Sequence, residues 1–172
     1  MFQNPEIAIE DLPDMEELEW RKLHPRFVRR IQVQNGLVAL APIAGTTVFS
    51  ILLHTFLIQT VLLWVLAVGF AVLLITWPTI SVPRRGYVVR DKDIVFRSGV
   101  VFQSVTAIPY NRIQHVETSS TPLDRKFDIA ALQLFTAGGS GGDLKIHGLG
   151  ANVAEQLRIY ILDKIGASIE NA

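Results

Sequence analysis

Metal binding and proton transfer near neutral pH point first to histidine, and this sequence has four: His24, His54, His115 and His147. Zinc sites draw their ligands from short repeats such as H-E-x-x-H or from cysteine pairs. Here each histidine stands at least 30 residues from the next, and the chain contains no cysteine. That second fact also excludes disulfides, thiolate nucleophiles and cysteine-bound iron–sulfur clusters, and it fits a reducing compartment. No metal site and no cofactor is expected.

The glycine-rich run Ala137-Gly138-Gly139-Ser140-Gly141-Gly142 invites comparison with a phosphate-binding loop. A Walker loop ends in Lys-Ser/Thr and opens a helix. This run is followed by Asp143, whose charge would repel phosphate, so it reads as a hairpin turn. Ser140 lies in G-G-S-G-G, not in a G-x-S-x-G nucleophile elbow. Asp91 and Asp93 flank Lys92 as turn residues. Nothing in these patterns indicates an enzyme or a small-molecule substrate.

The basic set Arg84, Arg85, Arg90, Lys92 and Arg97 is the one group with a plausible binding chemistry. Near an anionic leaflet each such charge attracts head groups by about 1 kcal/mol. The plainer account is anchoring beside a membrane span plus solvated strand faces. Arg125 and Lys126 form a separate basic spot. These residues are too few and too scattered for nucleic acid.

What must position them is a membrane anchor. Between Arg30 and Arg84 there is no Asp, Glu, Lys or Arg. A bilayer crossing needs about 20 apolar residues, so residues 31–83 hold two, at about 33–53 and 60–77. Pro42 interrupts the first, and His54, Thr55, Gln59 and Thr60 mark the tip between them. The second span has eleven Val, Leu, Ile and Phe residues, which favour insertion by at most about 3–6 kcal/mol. Pro78 and Pro83 are expected to end it. Lipid supplies no hydrophobic drive between helices, so close approach relies on small residues four apart. Ala41 with Gly45, and Ala67 with Ala71, are the two such pairs, and they are expected to face one another within one chain; the rival arrangement turns a pair toward a second protein.

The zero net charge hides an asymmetry: residues 1–19 carry −7 and the remainder +7. The acidic tail reads as solvated, and the late onset of the first apolar run argues against a cleavable signal peptide. Arg21, Lys22, Arg26, Arg29 and Arg30 precede the first span, Arg84, Arg85 and Arg90 follow the second, and the connecting turn has no Lys or Arg. The positive-inside rule then predicts a multi-pass protein of the cell (inner) membrane with both termini cytoplasmic.

After Pro83 the period changes to two. Tyr87–Arg90, Ile94–Ser98, Val100–Ile108, Arg112–Thr118, Ala131–Ala137 and Leu144–His147 read as strands, with a polar loop holding about one helical turn at 119–128. Asn152 and Glu155 suggest a capping box, and Gly166 a helix end. Val153, Leu157, Ile161, Leu162 and Ile165 form one apolar stripe between them. The chain thus divides into an acidic tail (1–19), a membrane-proximal segment with a transmembrane hairpin (20–83), and a domain of about six or seven short strands capped by a C-terminal helix (84–172).

That layout, together with Y-V-V-R-D-K-D-I-V-F-R-S-G-V-V from Tyr87, I-P-Y-N-R-I-Q-H-V from Ile108 and P-L-D-R-K-F-D-I-A-A-L-Q-L-F-T-A-G-G from Pro122, resembles the bacterial PH-domain family of small membrane proteins. The block Trp20, Leu23, His24, Pro25 is similar to the membrane-proximal start of that family, and the resemblance covers about residues 20–166. Asp128 departs from it, standing where relatives carry glycine. The resemblance implies a two-span anchor and a pleckstrin-homology-like barrel or sandwich, and it supplies no known activity. Two roles follow. The preferred one is a non-catalytic interaction module that binds a membrane protein partner or itself; the alternative is a sensor of anionic lipid head groups.

Overall fold

The computed structural model describes residues 19–52, 56–136 and 144–170, with side chains through residue 166. The acidic tail, His54 and Thr55 at the hairpin tip, and the glycine-rich run from 138 to Asp143 lie outside the described residues.

Two long helices come first, α1 (Arg26–Leu52) and α2 (Leu57–Ser81). At 1.5 Å per residue each is long enough to cross a hydrocarbon core of about 30 Å. Only 6% and 11% of their most apolar windows are buried, so these are not core helices of a soluble protein. Their surfaces present Leu, Val, Ile and Phe outward all round, which is the pattern of helices solvated by lipid. The chain is a membrane protein.

α2 does not stop at Pro78 but continues to Ser81, with Pro78 buried inside it. Proline lacks the N–H that would bond the carbonyl four residues back. That carbonyl, on Leu74, instead accepts a 2.7 Å hydrogen bond from the Asn35 amide of α1, and Gln32 donates to the neighbouring Ile75 carbonyl at 3.3 Å. The α1 face that meets α2 runs through Gln32, Asn35, Ala39, Pro42, Ile43, Thr46 and Ser50, the helical repeat of Ala39, which is buried. Ala67 and Ala71 are buried on α2. Ala41 and Gly45 are not opposite them: both are exposed, and a Cβ at Gly45 would meet open space. Ala41 lies two residues beyond Ala39, about 200° around the helix, and so points to the other side. The small-residue pairs therefore do not face one another within the chain.

Beyond the hairpin, two antiparallel sheets and a helix form the domain. One sheet runs in the order β1 (Arg21–Lys22), β2 (Gly86–Val89), β3 (Asp93–Ser98), β4 (Ser104–Pro109). After a 3-10 turn at Tyr110–Arg112, the second sheet runs β5 (Ile113–Ser119), β6 (Ile129–Thr136), β7 (Leu144–Gly150). The short α3 (Pro122–Lys126) joins β5 to β6, and α4 (Ala151–Glu170) packs across β5, β6 and β7. The result is a pleckstrin-homology-like sandwich with a capping helix. Strand β4 starts at Ser104 rather than at Val100, because Gly99 takes φ +108 and a tight turn occupies 99–103. Gly166 lies within α4, and Glu155 pairs with Arg158 instead of closing a cap. Asp128, where glycine was expected, holds φ 57; a left-handed backbone is tolerated by Asp better than by most residues.

The core crosses the expected boundary at residue 84. Leu23 and Phe27 sit in one buried cluster with Tyr87, Ile94, Ile129, Leu132, Ile146 and Ile161. β1 pairs with β2, and the His24 N–H donates to the Gly148 carbonyl at 2.8 Å. Gly148 has φ +81, and a Cβ there would overlap the Phe27 ring. The first turns of α1 are thus domain core, and the rest of the same helix is membrane anchor.

Candidate functional site at the membrane-facing end of the domain

Where α1 leaves the core it carries Arg30, the last charge before the uncharged stretch. Its guanidinium donates to Asp124 Oδ1 at 2.6 Å, with the two side chains only 16% and 14% exposed, and also reaches Gln34. Asp124 is placed by α3: Thr121 and Asp124 form a reciprocal capping box, and Pro122 fills the first helical turn. Burial alone would push the Asp124 carboxyl up. The hydrogen bonds from the Thr121 side chain and backbone and from Arg30 outweigh it, so the group lies below the ordinary carboxylate value.

Around this pair opens a cleft of about 370 Å³, lined by Arg30, Gln34, Arg85, Asp124, His147, Ala130 and Ala131 among others. Each wall has a local cause. Arg85 stands in the short connection from the end of α2 at Ser81 to the start of β2 at Gly86. His147 and Lys145 alternate outward on β7 while Leu144 and Ile146 point into the core. His147 stands at the mouth, open to solvent but partly stripped of water. Desolvation lowers its pKa from 6.5, and Lys145, Arg30 and Arg85 lower it further against the opposing pull of Asp124. Desolvation is the largest of these causes; the cleft's positive character comes instead from its lining, where Arg30 and Arg85 face the single carboxylate of Asp124, and such a site can attract an anion.

The sequence-expected basic set does not assemble as one patch. Arg85 lines the cleft and Arg84 is exposed beside it. Arg97 pairs in register with Gly86 at the same end of the sheet, and its guanidinium lies 4.4 Å from the Trp20 ring centroid, a cation–π contact. Arg90 and Lys92 sit at the other end of the β2–β3 hairpin. There Arg90 is held by Asp93 in a two-point ion pair at 2.5–2.6 Å, and the Tyr110 hydroxyl donates to the Arg90 carbonyl at 2.8 Å. Lys92 shares a separate shallow cleft with Asp91, Tyr110 and Lys164. Arg30, Lys145 and His147 were not singled out together by the sequence, being 115 residues or more from Arg30 to the other two. The readable signal was that Arg30 and Arg85 bracket the two spans, so an antiparallel hairpin must bring them to one level. Among the other histidines, His24 accepts from the Arg26 N–H at 3.3 Å and His115 packs on Phe135.

Comparison with known proteins adds three findings. Residues 29–165 match the family described as bacterial PH domain. A 51-residue stretch is 35% identical to the UPF0699 transmembrane protein YdbS of Bacillus subtilis (strain 168), covering 30% of this chain and 32% of that protein. No solved structure matches the chain.

Proposed function

Because this chain belongs to the bacterial PH domain family, we propose that it is a non-catalytic, membrane-tethered module that holds an anionic phospholipid head group in the cleft between α1 and β7. One observation carries this reading: Arg30, Arg85 and His147, from three separate elements, converge on a concave site at the level where the spans emerge. Asp124 and Arg30 neutralise one another, which leaves the Arg85 guanidinium as the cleft's net positive charge and the mostly neutral His147 as a hydrogen-bonding group beside it. This reading takes up the alternative drawn from sequence, anionic lipid head groups, ahead of the protein partners that sequence put first.

The test uses the full-length chain in neutral detergent, with its thermal midpoint measured on adding phosphatidylglycerol or phosphatidylcholine. A ligand that binds only the folded state raises the midpoint by mass action. Phosphatidylglycerol should stabilise more than phosphatidylcholine, less so at high salt, and Arg85→Gln should remove the difference. Equal stabilisation by both lipids, or an unchanged difference in Arg85→Gln, overturns the proposal.

A second reading rests on β4. Among the described residues it pairs only with β3, and Ser104 through Ala107 are exposed, leaving a strand edge able to accept a partner's strand or a second copy. Thr106→Pro would block such pairing, and loss of a crosslinked oligomer in that variant would favour it.

A further inference from the structure

Among the described residues, the turn between β3 and β4 is the most exposed apolar feature of the domain. Phe102 is 89% exposed and Val101 74%. The turn is built rather than slack: Gly99 at φ +108 brings its Cα so close to the Phe102 carbonyl that any Cβ would overlap it. That tight closure thrusts Val101 and Phe102 outward at the tip.

Its location says what covers it. The register Gly86↔Arg97 places this end of the sheet beside the exit of α2. A groove of about 420 Å³ runs between Val100, Val101 and Phe102 on one side and Trp77, Ser81 and Arg85 on the other. Trp77 and Ile80 are themselves exposed on α2, so they end its lipid-facing surface. Tryptophan at a span end marks the head-group level. The apolar tip is thus continuous with the surface of α2 that lipid already covers, and Arg84, Arg85 and Arg97 stand behind it as a cationic rim.

We propose that the β3–β4 turn inserts Val101 and Phe102 into the head-group and acyl boundary of the same leaflet, as a third membrane attachment beside the two spans. The occupant is lipid, not a protein groove. This goes beyond the head-group proposal and does not depend on it, since apolar insertion needs no anionic lipid.

The chain has no cysteine, so single labels are clean. Phe102→Cys and Asn111→Cys, the latter exposed in the 3-10 turn after β4, are labelled with the environment-sensitive fluorophore NBD. The full-length proteins are placed in nanodiscs of zwitterionic phosphatidylcholine only. The label at 102 should emit to the blue of that at 111, lose intensity when shallow doxyl-labelled lipid is included, and resist iodide. The label at 111 should show the reverse. A label at 102 that iodide quenches as readily as at 111 overturns the proposal. So does one shielded from both quenchers, because protein rather than lipid would then cover the tip.

Discussion

The Asn35–Leu74–Pro78 arrangement makes a prediction that can be worked through to a number. Pro78 leaves the Leu74 carbonyl without its helical donor, and Asn35 supplies one at 2.7 Å across the hairpin. Removing that donor orphans a carbonyl facing an apolar interface. Side-chain hydrogen bonds between membrane helices average about 0.6 kcal/mol and reach about 1.7, while a buried acceptor left unmade costs about 1–3. The overlap puts Asn35→Leu at about 1–1.5 kcal/mol of lost stability. In a Pro78→Ala background residue 78 regains its N–H, the Leu74 carbonyl is satisfied within α2, and Asn35→Leu should cost about 0.3 kcal/mol or less. The double-mutant cycle then yields a coupling of about 1 kcal/mol, well above the scatter expected of uncoupled sites. Reversible unfolding in mixed micelles of increasing SDS, followed by the emission of the three tryptophans, measures each corner. If Asn35→Leu costs the same with and without the proline, the amide is not serving that carbonyl and the account of how α2 continues through Pro78 is wrong.

Three further outcomes are expected. Gly148→Ala forces a side chain into a left-handed backbone, at about 1–2 kcal/mol, and into the Phe27 ring, at about 1–3 more; thermal melting in detergent should show a large drop, and an unchanged midpoint would mean that α1 does not pack there. His147 has a folded pKa below 6.5, so the unfolded chain binds more protons as pH falls through that value; stability should decline on acidification from about pH 7 to 5, and the decline should be shallower in His147→Gln, with parallel melting curves across that range as the contrary result. For orientation, single cysteines at His54 and Ser168 of the otherwise cysteine-free chain can be probed with a membrane-impermeant maleimide on intact cells: His54 should label and Ser168 should not, and the opposite pattern inverts the topology.

Much of this architecture was legible because its signals are long. A stretch of 53 uncharged residues can only be two spans, and period-two strands followed by one amphipathic helix leave few folds. What escaped was phase and distance. The small-residue pairs were chosen by spacing alone, whereas the true contact stripe is marked by Gln32 and Asn35, polar residues that lipid would reject, repeating onto Ala39 and Thr46. The continuation of α2 past Pro78 depends on a donor 43 residues earlier in sequence, Asn35, which no local rule anticipates. The basic set was read as one patch because its members are close in sequence, yet a two-stranded hairpin sends Arg90 and Arg97 to opposite ends. The cleft itself unites Arg30 with His147, a pairing set by tertiary packing alone. The strand at 100–103 failed for a local reason: Val-Val-Phe has high strand preference, but Gly99 at φ +108 turns the chain first.

The continuity of α1 from core to bilayer also has a mechanical meaning. A flexible tether would let the domain tumble above the leaflet; here no linker exists between Phe27, locked against Gly148, and the apolar turns that follow it on the same helix. The helix is a lever arm whose fulcrum is the leaflet surface. When bilayer thickness changes, spans answer by tilting, and a tilt of α1 must swing the whole sandwich with it, moving the cleft and the β3–β4 tip against the head groups. On that footing the orientation of the sheet follows the tilt of α1.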